Sequence, residues 1–468
     1  MNIAIFTDAY LPNTNGVAAS AYTLTKELQK LGHSVYIFTG SKEKMSTGHF
    51  RNWTNWFQND SNDSLYRHTS EKRRDDRTVH RIPSVPLSFL KPYRAATPVS
   101  FHTFRLMKKL DIDIIHTQTE FMLGFLGMSM ATVFRLPVVH TYHTMYEDYT
   151  HYISKAGVFG PEFARAYSKS FCNTADVVIA PTGKTEEALK QYGVKKEIYT
   201  IPTGINLQPF SKDTYTKEEI LELKKTLQID PEWPIILSLG RVAKEKSIDR
   251  IIQHMPEIRK ERNDIRLVIV GDGPELDNLK QLTKDLDVAD RVIFTGRVPY
   301  ENIGKYYQLG DVFVCCSTSE TQGLTYYEAL AAGIPLLVRN DACIFNILIH
   351  GVNASLYEDE KEIPGMIYQL LDDSALVDKY RRNSNEVLEE FSSERFARRV
   401  EDVYNNMISK EHMRKGRKRV RVSRARRKYK KSSFVVSKYG PTASEISVFN
   451  RFSKTTKQML RSIFKEKQ

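Results

Sequence analysis

The chain opens on a short apolar run, Ile3 to Thr7, followed by a loop with Pro12 and the Asn15-Gly16 turn signal. Ala18, Ala19, Tyr22, Leu24, Leu28 and Leu31 then recur at helical spacing until Gly32, and Ser34–Thr39 returns to a strand pattern. Strand, loop, helix and strand in that order begin a parallel, doubly wound sheet. The alternation resumes at Ile112–His116, Val138–Tyr142, Val177–Ala180 and Ile198–Ile201. After a charged, Pro-bearing stretch a second series follows. Ile235–Leu239, Leu267–Val270, Val292–Thr295, Val312–Cys315 and Pro335–Val338 read as strands, with amphipathic segments between them. The expected fold class is α/β, with two similar parallel-sheet domains joined near residues 205–232. The expected division is 1–205, 206–390, a closing helix in 391–409 patterned over Ser393–Ile408, and an extension over 410–468. Ligands of open parallel sheets bind at the carboxyl ends of the strands, so a cleft between the domains is the expected site.

Charge sharpens this division. The 468 residues carry a formal net charge of +13, yet 20 of the 69 Lys and Arg and only three of the 56 acids lie beyond residue 409. The extension is thus +17 and residues 1–409 are −4. A block asymmetry of this kind marks a tail for an anionic surface, nucleic acid or acidic lipid. The run from Arg414 to Lys431 is almost free of acids, which suits RNA or phospholipid headgroups equally. Beyond it Ile446, Phe449, Phe452, Met459, Leu460, Ile463 and Phe464 fall largely on one helical face, with Lys454, Lys457, Arg461 and Lys465 around them. A polybasic run followed by an amphipathic basic helix favours an interfacial anchor on anionic membrane lipids over nucleic acid. A docking helix for a protein partner stays open. Trp53, Trp56 and Phe57, close before Lys72, Arg73, Arg74 and Arg77, suit either a membrane interface or an ordinary long surface loop. No apolar run is long enough to span a bilayer, the N-terminus lacks a signal-peptide pattern, and Cys172, Cys315, Cys316 and Cys343 show no paired spacing. A cytoplasmic protein with reduced core cysteines, peripheral on the inner face of the cell membrane, is expected.

The densest chemistry lies at 317–335, STSETQGLTYYEALAAGIP. A helix starting near Gly323 presents free N–H groups where a phosphate is favoured. Glu320 then lies in the loop beside that terminus and Glu328 about one turn inside, both able to accept hydrogen bonds from sugar and ribose hydroxyls. An isolated pair of this spacing reads as a solvated helix face; the glycines and the preceding strand favour a site. In GRVAKEKSID, Gly240-Arg241 follows a strand and Lys246 comes five residues later. Two cations there can neutralise a diphosphate and the charge that develops as it leaves. VGDGPE at 270–275 suits a scaffold role. His140, His143, Glu147 and His151 have spacings that a helix could gather round a metal, but Val138–Tyr142 reads as strand, which separates them.

The E-x7-E segment, the GR…K segment and VGDGPE together resemble the retaining glycosyltransferases of family four, over roughly residues 1–409. The resemblance implies the GT-B fold, two Rossmann-like domains facing a cleft, with the acceptor bound by the first and the nucleotide sugar by the second. It implies Arg241 and Lys246 as the pyrophosphate pair, Glu320 as the catalytic-site carboxylate positioning the sugar, and Glu328 on the ribose. Gly323 and Leu324 at the helix start complete the donor side. Gly16 falls where the family commonly has paired glycines, with Asn15 as a departure. His143 matches the histidine near the donor sugar and scissile bond, whereas His116 reads as structural. HTMYED at 143–148 and IIHTQTEF at 114–121 are similar to the subset of bacterial diacylglycerol glucosyltransferases. That subset implies hexosyl transfer from UDP-glucose to 1,2-diacylglycerol, with no cofactor and a metal not required or only stimulatory. It makes Trp53, Trp56, Phe449 and Phe452 candidates for acceptor or membrane contact. A glycosyltransferase extending a glycolipid, or acting on a phosphoinositide or polysaccharide, and a nucleic-acid-binding protein using the tail are the competing readings.

Overall fold

The computed structural model describes residues 1–11, 15–40, 78–82, 84–86, 94–96, 101–149, 160–299, 302–344 and 347–426. Trp53, Trp56, Phe57, the 72–77 basic cluster, His151, Phe449 and Phe452 lie outside the described residues. Two compact units are present. The first comprises Met1–Ala180, Glu186–Ile201 and the chain from Ala397; the second comprises Pro181–Thr185 and Pro202–Phe396.

In the first unit seven strands form one sheet. They are β1 (Asn2–Phe6), β2 (Ser34–Gly40), β3 (Val79–Ile82), β6 (Ile114–Thr117), β7 (Val138–Thr141), β8 (Val177–Ala180) and β9 (Glu197–Thr200), in the order β3-β2-β1-β6-β7-β8-β9. All neighbours pair in parallel. A separate two-stranded hairpin joins β4 (Ser84–Pro86) to β5 (Arg94–Ala96). The sheet order reverses between β1 and β6, the place where a doubly wound sheet opens a crevice at its carboxyl edge. Helix α1 (Gly16–Lys30) leads from β1 to β2, α2 (Phe101–Leu110) precedes β6, and α3 (Met122–Phe134) joins β6 to β7. Asn15 caps α1: its Oδ1 accepts from the Ala18 N–H at 2.8 Å. Two glycines let α3 lie close on the sheet. A Cβ on Gly124 would stand 1.9 Å from the Thr119 carbonyl oxygen, and one on Gly127 would stand 2.8 Å from Thr117 Cγ2. Phe6 stacks on Phe38 at 4.6 Å in this core, with Leu123, Leu126, Tyr142 and Phe171. Helix α4 (Pro161–Cys172) and helix α5 (Gly183–Gln191) flank β8 in sequence.

The second unit has six parallel strands, β10 (Ile235–Leu239), β11 (Arg266–Val270), β12 (Val292–Gly296), β13 (Val312–Cys315), β14 (Leu336–Arg339) and β15 (Ser355–Tyr357). Their order, β12-β11-β10-β13-β14-β15, reverses between β10 and β13. Successive residues serve opposite faces: Ile235, Leu237, Val268 and Phe313 enter one core, while Ile236, Leu267, Ile269 and Val314 enter another. Burial on both faces explains why these strands read as continuous apolar runs. Between strands run α6 (Lys217–Thr226, before β10), α7 (Ile248–Glu261), α8 (Leu276–Asp285), α9 (Ile303–Tyr307) and α10 (Leu324–Ala331). Helices α11 (Ile363–Asp372) and α12 (Ser374–Glu390) follow β15.

The compact units change over between Ile201 and Pro202, four residues before the expected boundary, and the helix expected over 391–409 continues beyond it. It runs as α13 from Ser393 to Arg426. Arg and Lys rank just behind Ala as helix formers, and the single Gly416 is too small a penalty to end the helix. From Ala397 this helix belongs to the first unit, where Val400, Val403, Tyr404 and Met407 are buried.

Candidate functional site

At the reversal point of the second unit, β10 runs into Gly240 and Arg241. The Gly240 N–H donates to Val270 O at 3.0 Å, and Val242 N–H to Asp272 O at 3.1 Å, so the VGDGPE loop lies directly on the GRV segment. A Cβ on Gly271, whose φ is +146°, would stand 1.8 Å from Gly240 O, and one on Gly273 2.1 Å from Val242 O. These glycines serve close backbone packing. Arg241 is half exposed at its side chain, and its Nη1 stands 3.9 Å from Oε1 of the buried Glu245. The chain then makes a tight turn over Lys244–Lys246, with Ser247 at φ +48°, before α7 begins.

The segment after β13 is tied to that turn. Thr318 N–H donates to Glu245 O at 3.0 Å and Ser317 Oγ to the same oxygen at 3.2 Å. Lys246 Nζ meets Glu320 Oε1 at 2.6 Å. The structure therefore joins the second cation of the GR…K segment to the first carboxylate of E-x7-E, 74 residues away. Gly323 caps α10 at φ +73°, and the helix start carries no side-chain cap. Its first N–H groups and the helix dipole remain suited to an anion. Leu324 is half-buried and packs against the core beneath.

The two glutamates differ in setting. Glu320 is partly exposed, whereas Glu328 is buried and accepts from Tyr307 Oη at 2.6 Å. Burial pushes the Glu328 carboxyl up to about 7, opposed by the Tyr307 hydroxyl. Tyr307 itself is fixed between Phe210 and Phe313, with ring centroids 5.5 and 6.0 Å away. Tyr307 was not legible as a site partner, since α9 is a five-residue helix distant in sequence. Gln322 was also missed. Its side chain accepts from Thr203 N–H at 2.8 Å and donates to Thr203 O at 2.9 Å, clamping the loop between Glu320 and α10.

In the first unit, residues after β1, β6 and β7 form a second polar group at the carboxyl edge. His143 Nε2–H donates to Gln118 Oε1 at 2.7 Å. Burial and the neighbouring His140 push His143 down to about 3, so it is a neutral imidazole whose Nδ1 accepts. Asp8 accepts from Thr119 Oγ1 at 2.6 Å, and burial together with Glu120 raises its carboxyl to about 7. Glu120 is buried and receives Tyr146 Oη and, at its main-chain oxygen, Tyr167 Oη. His116 is enclosed, bonded to Tyr404 Oη at 2.6 Å and Thr141 Oγ1 at 2.7 Å, which is the structural role its sequence context suggests. His140 faces Glu120 at 3.1 Å and Glu147 faces Arg165 at 2.6 Å, so the histidine-rich segment is spread over separate partners. Among the described residues no group of three His, Cys, Asp or Glu is placed to hold a metal. Gly16 is exposed at the first position of α1, and Asn15, where paired glycines are common, is that helix's cap.

Residues 14–209 match the family described as Glycosyltransferase Family 4, and residues 219–387 match Glycosyl transferases group 1. The chain is 36% identical over 408 residues to an alpha-monoglucosyldiacylglycerol synthase of Streptococcus pneumoniae, covering 87% of this chain and 86% of that one. It is 32% identical over 425 residues to a protein of the same name from Acholeplasma laidlawii, covering 89% and 100%. Among solved structures, a sucrose-phosphate synthase from Thermosynechococcus elongatus aligns with TM-score 0.67 at 19% identity, over 87% of this chain and all of the other. Anabaena HepE in complex with UDP and glucose aligns with TM-score 0.66 at 16% identity, over the same shares. At such identities the structural likeness speaks for the fold alone. The identity to full-length relatives and the paired parallel-sheet units place this chain in family 4 of the glycosyltransferases, and it is a glycosyltransferase of the GT-B fold.

Proposed function

We propose that the protein transfers glucose from UDP-glucose to the 3-hydroxyl of 1,2-diacylglycerol, with retention at the anomeric carbon, on the inner face of the cell membrane. The observation that carries this reading is the joining of Lys246 to Glu320 beside the uncapped start of α10. That arrangement gathers a cation, a partly exposed carboxylate and a row of N–H groups at the carboxyl edge of one sheet, which suits a sugar diphosphate. The names of the two relatives at 36% and 32% identity support the glucosyl donor and the diacylglycerol acceptor.

In the second unit Arg241, Lys246 and the N–H groups at Gly323 and Leu324 take the diphosphate and the charge that grows on it as the glycosidic bond breaks. Lys246 exchanges Glu320 for phosphate when the donor binds, which frees the Glu320 carboxylate for hydroxyls of the sugar. Glu328 takes the ribose. With the departing charge met by two side-chain cations, the reaction needs no divalent ion. The first unit takes the lipid. Its His143, neutral across the physiological range with Nε2–H held by Gln118, offers Nδ1 as an acceptor to a substrate hydroxyl. No protein nucleophile is assigned, and the leaving phosphate helps to remove the proton of the acceptor hydroxyl. Diacylglycerol stays in the bilayer, so the enzyme comes to it. Among the described residues no helix is long and apolar enough to cross a membrane, and the basic extension beyond residue 409 serves as the anchor on anionic lipid.

A donor-by-acceptor screen, with lipid products identified by mass spectrometry, tests the reading. UDP-glucose and diacylglycerol vesicles are expected to give monoglucosyldiacylglycerol with EDTA present. Arg241→Ala and Glu320→Ala should lower turnover about 100-fold or more, as loss of a charge-stabilising donor does. Product with another acceptor only, or unchanged rates in both variants, overturns the assignment.

A further inference from the structure

Residues 181–185 belong to the second unit, although the strand before them and the helix body after them belong to the first. From this segment Lys184 Nζ donates to both carboxylate oxygens of Asp341, at 2.7 and 3.0 Å, and reaches the main-chain oxygen of Glu320 at 3.4 Å. Thr182 Oγ1 donates to the next carbonyl, Thr321 O, at 2.9 Å. Asp341 is fixed in turn by the Cys343 N–H, which donates to its Oδ1 at 2.8 Å. Although burial opposes it, these donors hold the Asp341 carboxyl below its ordinary value, so it is a carboxylate at neutral pH.

Residues 320, 321 and 322 are thus each held from outside their own strand and helix, by Lys184, Thr182 and Thr203. Only the Glu320 contact is made by a charge, and that charge is aimed by Asp341. An exposed ion pair contributes little to stability. This one is partly buried, bidentate and applied to the backbone of the residue whose carboxylate Lys246 meets.

Building on the donor-site reading above, we infer that Lys184 and Asp341 are positioning residues for the donor sugar, with the ion pair holding the Glu320 main chain so that its carboxylate stands where the hexose lies. The pair touches no part of the nucleotide in this scheme. Its loss is therefore felt by the sugar and not by UDP, whereas a purely structural pair affects both or neither.

The test is calorimetric binding of UDP and of UDP-glucose to the full chain and to Lys184→Met, Asp341→Asn and Lys184→Arg. Lys184→Met and Asp341→Asn are each expected to weaken UDP-glucose about 10-fold, one well-made charge-assisted contact, while UDP stays within about 2-fold. Lys184→Arg, which keeps the charge and can meet both Asp341 oxygens through its guanidinium fork, should recover most of the loss. The turnover of the two disrupting variants should fall by at least as much as their sugar affinity. Unchanged affinity for both ligands, or equal loss for both, overturns the positioning role and leaves the donor site standing. Failure of the unaltered chain to bind UDP overturns the donor site and this inference with it.

Discussion

Tyr307→Phe removes one hydroxyl from beneath Glu328 and leaves the ring between Phe210 and Phe313 in place. The cost depends on pH because Glu328 titrates near neutrality. Its folded value of about 7 stands above the ordinary 4.5, so the folded protein holds this proton more tightly than the unfolded chain does. The stability associated with that proton is full below about pH 4.5 and is lost as pH rises through about 7. At about 1.4 kcal/mol per pH unit the loss amounts to about 3 kcal/mol. Tyr307 opposes the rise in pKa, so removing it moves the folded value further up and lengthens the window of loss toward pH 8. At pH 5.5 the variant forfeits a hydrogen bond to a neutral carboxyl, worth about 1 kcal/mol. At pH 8.5 it leaves a buried carboxylate short of a donor, worth about 2 to 3 kcal/mol. Urea titrations at the two pH values measure the difference. Substituting Phe for Trp53 and Trp56 makes Trp233 the sole tryptophan reporter, and Trp233 lies in the second unit, stacked on Arg266. A destabilisation larger by about 1 to 2 kcal/mol at pH 8.5, with the denaturant slope unchanged, is expected. Equal destabilisation at both pH values, or a larger effect at low pH, refutes the coupling of Tyr307 to a titrating Glu328.

Gly271→Ala places a methyl 1.8 Å from Gly240 O at φ +146°, so the VGDGPE loop must leave the GRV segment. Soluble yield should collapse, or the melting temperature of the second unit fall by about 10 °C or more; a normal melting curve refutes the close-packing role. Ser247→Gly relieves a left-handed conformation at φ +48° and should raise stability by a few tenths to about 1 kcal/mol in urea titration, with Ser247→Val going the other way. Asn15→Ala removes the acceptor for the Ala18 N–H and should cost about 1 kcal/mol, while Asn15→Asp should not; equal loss in both denies the cap.

The strand positions were largely legible because both faces of each sheet are covered, which writes the strands as short apolar runs between turn residues. Ile235–Leu239, Val312–Cys315 and Val177–Ala180 agree with the structure residue for residue. Of the four edge strands of the two parallel sheets, β9 and β12 were legible and β3 and β15 escaped. β3, VHRI, is only half-buried for most of its length, and β15 is three residues long, so neither has the apolar density that marks a central strand. The end of α13 escaped because a dense run of Lys and Arg looks like a solvated tail, yet each of those residues favours helix on its own. In the site, spacing located Arg241, Lys246, Glu320 and Glu328 but carried no information on who meets whom. The Lys246–Glu320 pair, the Tyr307–Glu328 bond and the Lys184–Asp341 pair join residues 74, 21 and 157 positions apart. Only the strand order, fixed by long-range pairing, brings such segments to one edge.

That strand order also separates the chemistry of the two units. Each sheet reverses once, and each reversal point carries a polar group at the carboxyl edge. Beside β10 and β13 stand Arg241 and Lys246 with an uncapped helix start, each cation facing a carboxylate, Glu245 and Glu320. Beside β1 and β6 stand Asp8, held near a pKa of 7, and Thr119, with Gln118 and the neutral His143 close after. A diphosphate at the second setting would lie beside the Asp8 and Glu120 carboxyls, where its desolvation is costly. A hydroxyl group meets no such penalty, since Asp8 can accept its proton-bearing oxygen's hydrogen bond in either charge state and His143 Nδ1 accepts another. The side chains at the two edges agree with the proposed assignment of donor to the second unit and acceptor to the first. Asp8→Asn offers the check: it should leave UDP affinity within about 2-fold while altering the pH profile of turnover near 7. A large loss of UDP affinity in that variant would reverse the assignment.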